Sequence, residues 1–208
     1  MFREIKIGII ELLLYIPVGL FAIMLHEYVK GWLAQKFGDT TQEQYDLLHW
    51  KPLAFVDPLG FITLIWFHGL GWTRPMLINP EKMSDGKSGA AAAMLAGPLV
   101  NIAAALVLSV VWWMIYPVQV RDRFTGSLLM ALIEVNFKLG VINLLPILPF
   151  TGGHIVALFI KGLHRYEIIA IIITLGLFVW IYAGGQNNIF DRMIFTFMQL
   201  FRIPWNSQ

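Results

Sequence analysis

The sequence predicts an all-α polytopic membrane protein, and three observations lead there. Of 208 residues, 58% are hydrophobic and only 13% charged, against roughly a quarter charged in a soluble domain. Mean hydropathy is +0.68. The charges gather in clusters, and the apolar stretches between them reach the length of about 20 residues that a bilayer core requires. This excludes an ordinary water-soluble globule and a disordered chain. A net charge of +2 without a basic block points to membrane lipid and away from nucleic acid. The absence of cysteine excludes disulfides, thiolate metal sites and thiol nucleophiles. A metal could be held only by His, Asp or Glu.

One membrane domain over residues 1–208 is expected, with about four spans. The first covers 5–37; no small-residue cleavage site follows it, so it reads as a signal anchor. Residues 38–87 form a loop that includes an apolar piece, 61–70, too short to cross and therefore re-entrant or interfacial. A short irregular or β-like insert is expected near 40–60. Residues 88–120 are uncharged and give the second span, and 124–160 hold the third. Residues 166–190 give the fourth, and 191–208 an interfacial tail. Pro- and Gly-rich stretches at 51–60, 69–80 and 146–153 punctuate these helices. Gly89, Ala93 and Gly97 make a small-residue face that lets helices approach closely. Trp112, Trp113, Tyr116, Trp180 and Tyr182 sit near span ends, where amphipathic rings favour the boundary. With four spans, Lys30, Lys36, Lys51, Arg74, Lys82, Lys87, Lys161 and Arg165 share one side, which places 38–87 in the cytoplasm.

The most informative polar residues stand at the end of the first apolar run: His26, Glu27 and Lys30. On a helix, i, i+3 and i+4 lie on neighbouring faces. Two His at i and i+4 grip one zinc in H-E-x-x-H, and the adjacent Glu activates water. Here the run is His26-Glu27-Tyr28-Val29-Lys30, so the second ligand position is Lys. Polar groups at membrane depth are costly and mark functional sites by default.

Further segments follow in order: Asp57-Pro58-Leu59-Gly60; Gly71-Trp72-Thr73-Arg74-Pro75 with Asn79-Pro80; Ala96-Gly97-Pro98-Leu99-Val100-Asn101; and Asn143-Leu144-Leu145-Pro146-Ile147-Leu148-Pro149-Phe150-Thr151-Gly152-Gly153-His154. Together with His26-Glu27, they resemble the motifs of the site-2 proteases, intramembrane zinc metalloproteases, over about residues 8–185. The resemblance implies a site-2-protease-like core. It also implies that His26 stands at the first zinc-ligand position and Glu27 at the general base. The family's second ligand position, a His, is matched here by Lys30, and its third, an Asp, by Thr151. Asn143 matches an asparagine near the bound substrate, which implies a groove past Asn143, Pro146 and Gly152.

One expected ligand of three remains. Lys carries three donors and no lone pair in its charged form, and a cation there repels Zn²⁺. Thr is a poor ligand beside a carboxylate. Lys30 is therefore expected to take the metal's electrostatic place and neutralise Glu27, which would otherwise be an uncompensated buried charge. His154, His49, His68 and His164 read as packed or interfacial histidines, and Asp57 as a turn residue. Glu134 and Lys138 form an i,i+4 ion pair inside the third span, expected to join helices. Asn101, Asn136 and Asn143 are expected interhelical hydrogen bonders.

The expected function is a non-catalytic site-2-protease-like membrane protein. It would act as a helix-binding, scaffold or assembly subunit in a bacterial inner membrane, with other transmembrane proteins as partners and no cofactor. The alternative is a zinc-dependent intramembrane endopeptidase with atypical ligands. A transporter would need charges along a path through several spans, and only one such internal pair is visible.

Overall fold

A computed structural model of the chain describes residues 9–44, 52–115, 123–183, 189–201 and 203. It is helical: α1 (Ile9–Lys36), α2 (Thr41–Gln44), α3 (Pro58–Trp66), α4 (Gly86–Ile115), α5 (Arg123–Asn143), α6 (Thr151–Phe159), α7 (Glu167–Ala183) and α8 (Ile189–Leu200). Among the described residues, four stretches are long and apolar enough to span a membrane: Leu13–Lys36, Gly86–Ile115, Phe124–Asn143 and Leu163–Trp180. The chain is thus an all-α polytopic membrane protein.

α4 is the central helix and packs on both α1 and α5. Glycines set the approach. A Cβ on Gly140 of α5 would lie 2.8 Å from Pro98 O, and one on Gly97 would lie 2.6 Å from Lys30 Cδ. The small-residue face of α4 is used inside the chain, where Ala90 and Ala93 are buried with Ala34 of α1 and Met83.

The apolar piece expected to be re-entrant or interfacial is a hairpin made of α3 and a non-helical returning limb. Pro58 suits the first helical turn, where no N–H is needed. Asp57 caps α3 by accepting from Gly60 N at 2.9 Å. The chain turns at His68 (φ 47°) and Gly69 (φ 106°), then returns without regular secondary structure through residues 70–76. Arg74 N donates to Phe55 O at 2.9 Å, so both limbs meet again where they began. Backbone touches backbone between Gly60 and Gly71–Trp72, where no Cβ fits. Leu64 of this hairpin is buried with Val18, Ala22, Ile23 and Val135.

Three expectations change. Residues 41–44, 52–55 and 58–66 are helical turns, and no strand occurs among the described residues. Pro52 and Pro58 open these turns with φ preset for helix, which removes the expected β-like insert. The segment 124–160 is interrupted. α5 stops at Asn143 and α6 starts at Thr151, because Pro146 and Pro149 lack the N–H groups a continuous helix needs. Trp112 is buried with Ile194, Phe197 and Met198 of α8 and is not a boundary residue, whereas Trp113 and Trp180 are exposed. The expected tail helix therefore lays its apolar face on α4 and α5. His49, Tyr116, Lys51 and the side chain of Tyr182 lie outside the described residues.

Candidate active-site pocket between α1, α4 and α6

α1 carries His26, Glu27 and Lys30 on one stripe, all at most 1% exposed. α6 begins at Thr151, and its first hydroxyl reaches the same point. His26 Nε2 lies 3.1 Å from Thr151 Oγ1, and Lys30 Nζ donates to that oxygen at 3.3 Å. Lys30 Nζ also donates to Glu27 Oε1 at 2.7 Å. Positions 26, 30 and 151 thus converge, with the Lys30 ammonium between the Glu27 carboxylate and the Thr151 hydroxyl. Gly97 makes the room. A Cβ there would stand 2.8 Å from His26 Cδ2 and 2.9 Å from His26 Nε2.

Asn101 orients the imidazole. Its Nδ2 donates to Ala22 O (3.1 Å) and Asn136 Oδ1 (3.2 Å), which leaves Oδ1 to face His26 Nδ1 at 3.2 Å. With Nδ1–H donating to that oxygen, Nε2 carries the lone pair and accepts the Thr151 hydroxyl proton. Asn143 holds the start of α6, accepting from Thr151 N at 3.2 Å and donating to Gly71 O at 3.3 Å. The returning limb of the hairpin is tied in at the same point.

That limb also closes over Glu27. Thr73 Oγ1 donates to Oε1 and Met76 N donates to Oε2, the latter at 2.7 Å. The carboxylate therefore has three donors from two separate elements. Neither Thr73 nor Met76 was singled out by the motifs. The Gly71–Pro75 segment flagged the limb, but nothing marked its hydroxyl as a partner of Glu27. Asp39 was likewise missed. It is fully buried and accepts from Thr41 N, Gln42 Nε2 and Asn79 N at 2.7–2.9 Å, tying the end of α1 to the chain before α4. Burial raises its pKa, but these hydrogen bonds outweigh it and hold the carboxyl below its ordinary value.

The other predicted residues fall into place around this pocket. Gly152 and Gly153 pass so close to the backbone of Leu144–Leu148 that a Cβ on either would collide with it. Pro146 is exposed in the 144–150 turn. Glu134 and Lys138 pair at 2.6 Å, with Tyr15 OH donating to the other Glu134 oxygen at 2.9 Å. This second ion pair joins α5 to α1, and Tyr15 stacks on His68 of the hairpin turn (4.7 Å). His154 lies one turn beyond Thr151, stacked on His164 and 3.9 Å from Glu167. Burial, with Lys30 and His164 nearby, pushes its pKa down to about 4.

The donor set can be tested against zinc. A catalytic zinc needs three protein ligands and a water. His26 offers one nitrogen, Lys30 an ammonium without a lone pair, and Thr151 a neutral hydroxyl. Among the described residues, no group of three His, Asp or Glu side chains could hold a metal ion. These residues do not fit zinc, and no step through a metal follows from them.

Over 153 residues the chain is 29% identical to "Putative zinc metalloprotease YwhC" of Bacillus subtilis (strain 168), an overlap covering 71% of this chain and 69% of that protein. No protein-family model matches the chain, and no solved structure gives a significant match. The ordered motifs that frame the pocket and this similarity point the same way: the chain is similar to a putative zinc metalloprotease, and its motifs resemble those of the site-2 proteases.

Proposed function

We propose that the chain is a site-2-protease-like membrane protein without zinc-dependent proteolysis, which binds transmembrane helices as a scaffold or assembly subunit. The observation that carries this reading is the Lys30 ammonium, 2.7 Å from Glu27 Oε1 and 3.3 Å from Thr151 Oγ1. It neutralises the acid that the family uses as its base and repels a divalent cation from the same spot. The resemblance that matches Asn143, Pro146 and Gly152 to a peptide-receiving groove supports the helix-binding part of this reading. The proposed partners are other transmembrane proteins in a bacterial cytoplasmic membrane.

The test is the zinc content of the chain purified in mild detergent, with cleavage of a transmembrane substrate assayed in parallel. A folded, metal-free and uncleaving protein is expected. The retained His26–Glu27 pair and the name of the Bacillus subtilis relative favour a second reading, a zinc protease with unusual ligands. Near-stoichiometric zinc that is lost in His26→Ala, with cleavage lost in Glu27→Gln, would establish that reading and overturn the first.

A further inference from the structure

We infer that the outer face of α8 is a binding site for an anionic phospholipid, with the phosphate on Arg192 and the acyl chains in two apolar hollows on either side of Leu200. The site lies apart from the pocket between α1, α4 and α6, and it does not rest on the helix-binding reading above.

α8 is amphipathic. Ile194, Phe197 and Met198 are buried with Trp112 of α4 and with Leu129 and Ile133 of α5. Arg192, Thr196 and Gln199 follow one another at helical spacing on the opposite side, and all three are exposed. A helix of this kind lies in the plane of the membrane interface, at the level of the lipid headgroups. A trench of about 390 Å³ runs along one flank, lined by Phe137 of α5 and by Arg192, Met193, Thr196, Phe197 and Leu200. A second hollow of about 240 Å³ is lined by Leu200, Phe201 and, from α4, Val110 and Trp113. Leu200 borders both and is 75% exposed, so it stands up between them.

Charge and shape together decide the occupant. Among the described residues no carboxylate pairs with Arg192. The neighbouring Thr196 hydroxyl is turned back to Arg192 O at 2.9 Å. A guanidinium presents five N–H donors in a fork that matches phosphate oxygens bidentately. A phosphate at headgroup level therefore supplies both the acceptors and the opposite charge. Shape separates a lipid from a partner helix. A helix is about 10 Å across with its side chains and needs an unbroken groove, whereas Leu200 divides this one. Two thin, flexible acyl chains pass on either side of it. The charge selects an anionic headgroup, because a zwitterionic lipid carries its own cation beside the phosphate and leaves no net charge to balance Arg192.

The test uses the full chain in mild detergent. The probes are phosphatidylglycerol and phosphatidylcholine with identical acyl chains, one chain of each carrying a photoreactive diazirine. The expected result is labelling of the segments that hold Phe137 and residues 193–200, about tenfold stronger with phosphatidylglycerol, as one charge-assisted contact would give. Arg192 is exposed, so Arg192→Gln leaves the fold intact and is expected to bring the two lipids level, while Arg192→Lys keeps part of the preference. Glycerophosphoglycerol, the headgroup without its chains, is expected not to compete. Equal labelling by the two lipids in the wild-type chain, a preference that survives in Arg192→Gln, or preferential labelling confined to other surfaces overturns the inference. Competition by glycerophosphoglycerol overturns the assignment of the hollows to the chains. A transmembrane protein that copurifies with the wild-type chain but not with Arg192→Gln, in the absence of any lipid preference, gives the face to a partner helix and overturns the inference as well.

Discussion

Lys30 Nζ stands 2.7 Å from Glu27 Oε1, with both side chains almost completely removed from solvent. Two charges in such a place are stable only as a pair. Breaking one partner costs about 3–5 kcal/mol, while replacing both with apolar residues of similar volume is often neutral. Lys30→Met alone should therefore destabilise the protein by roughly that amount, and Glu27→Leu should restore most of the loss. Unfolding in detergent, followed by circular dichroism, measures both. Equal stability of wild type and Lys30→Met would mean that the pair carries no such burden.

Lys30→His combined with Thr151→Asp supplies two imidazoles and a carboxylate at the three converging positions. That is a sufficient ligand set for zinc with a water in the fourth place. The double variant is expected to bind about one zinc per chain by elemental analysis, and either single variant to bind much less. A folded double variant without metal would show that the three positions do not share the family geometry.

Gly97 and Gly176 make a matched pair of tests. A Cβ at Gly97 would fall 2.6 Å from Lys30 Cδ and 2.8 Å from His26 Cδ2, whereas at Gly176 nothing lies within 4 Å. Gly97→Ala should cost about 1–3 kcal/mol by overpacking. Gly176→Ala should be neutral or stabilising by up to about 1 kcal/mol, the helix preference for Ala over Gly. Melting temperatures of the two variants in the same detergent decide it.

His154 predicts an acid-side loss of stability. Burial holds its folded-state pKa at about 4, against 6.5 for the ordinary side chain. Between those values the unfolded chain binds a proton that the folded chain refuses. Stability is therefore fully present above about pH 6.5 and falls as pH drops towards 4. His154→Phe should flatten that part of the stability–pH curve. An unchanged slope in the variant would assign it to other groups.

Much of this architecture was legible in the residues. Spans declare themselves by length and lack of charge, whereas Asp57, expected as a turn residue, is the N-cap of α3. The i, i+3 spacing of Glu27 and Lys30 placed the ion pair before any coordinates. What stayed hidden depended on contacts between distant segments. Thr73 and Met76 meet Glu27 across 46 and 49 residues, and no local pattern encodes such a meeting. Asn101 was read as joining helices, but its role in fixing the His26 proton follows only from its two other bonds. The insert near 40–60 misled because prolines that break strands can equally open helical turns.

The bond from Met76 to Glu27 Oε2 has one further property. Its donor is main chain, so Ala, Ser or Leu at position 76 could supply it as well, and proline alone could not. The carboxylate is thus tethered partly by the path of the chain rather than by the identity of a neighbour. Drift at position 76 would pass unnoticed by Glu27, and a comparison of sequences could miss a contact on which the acid's position depends.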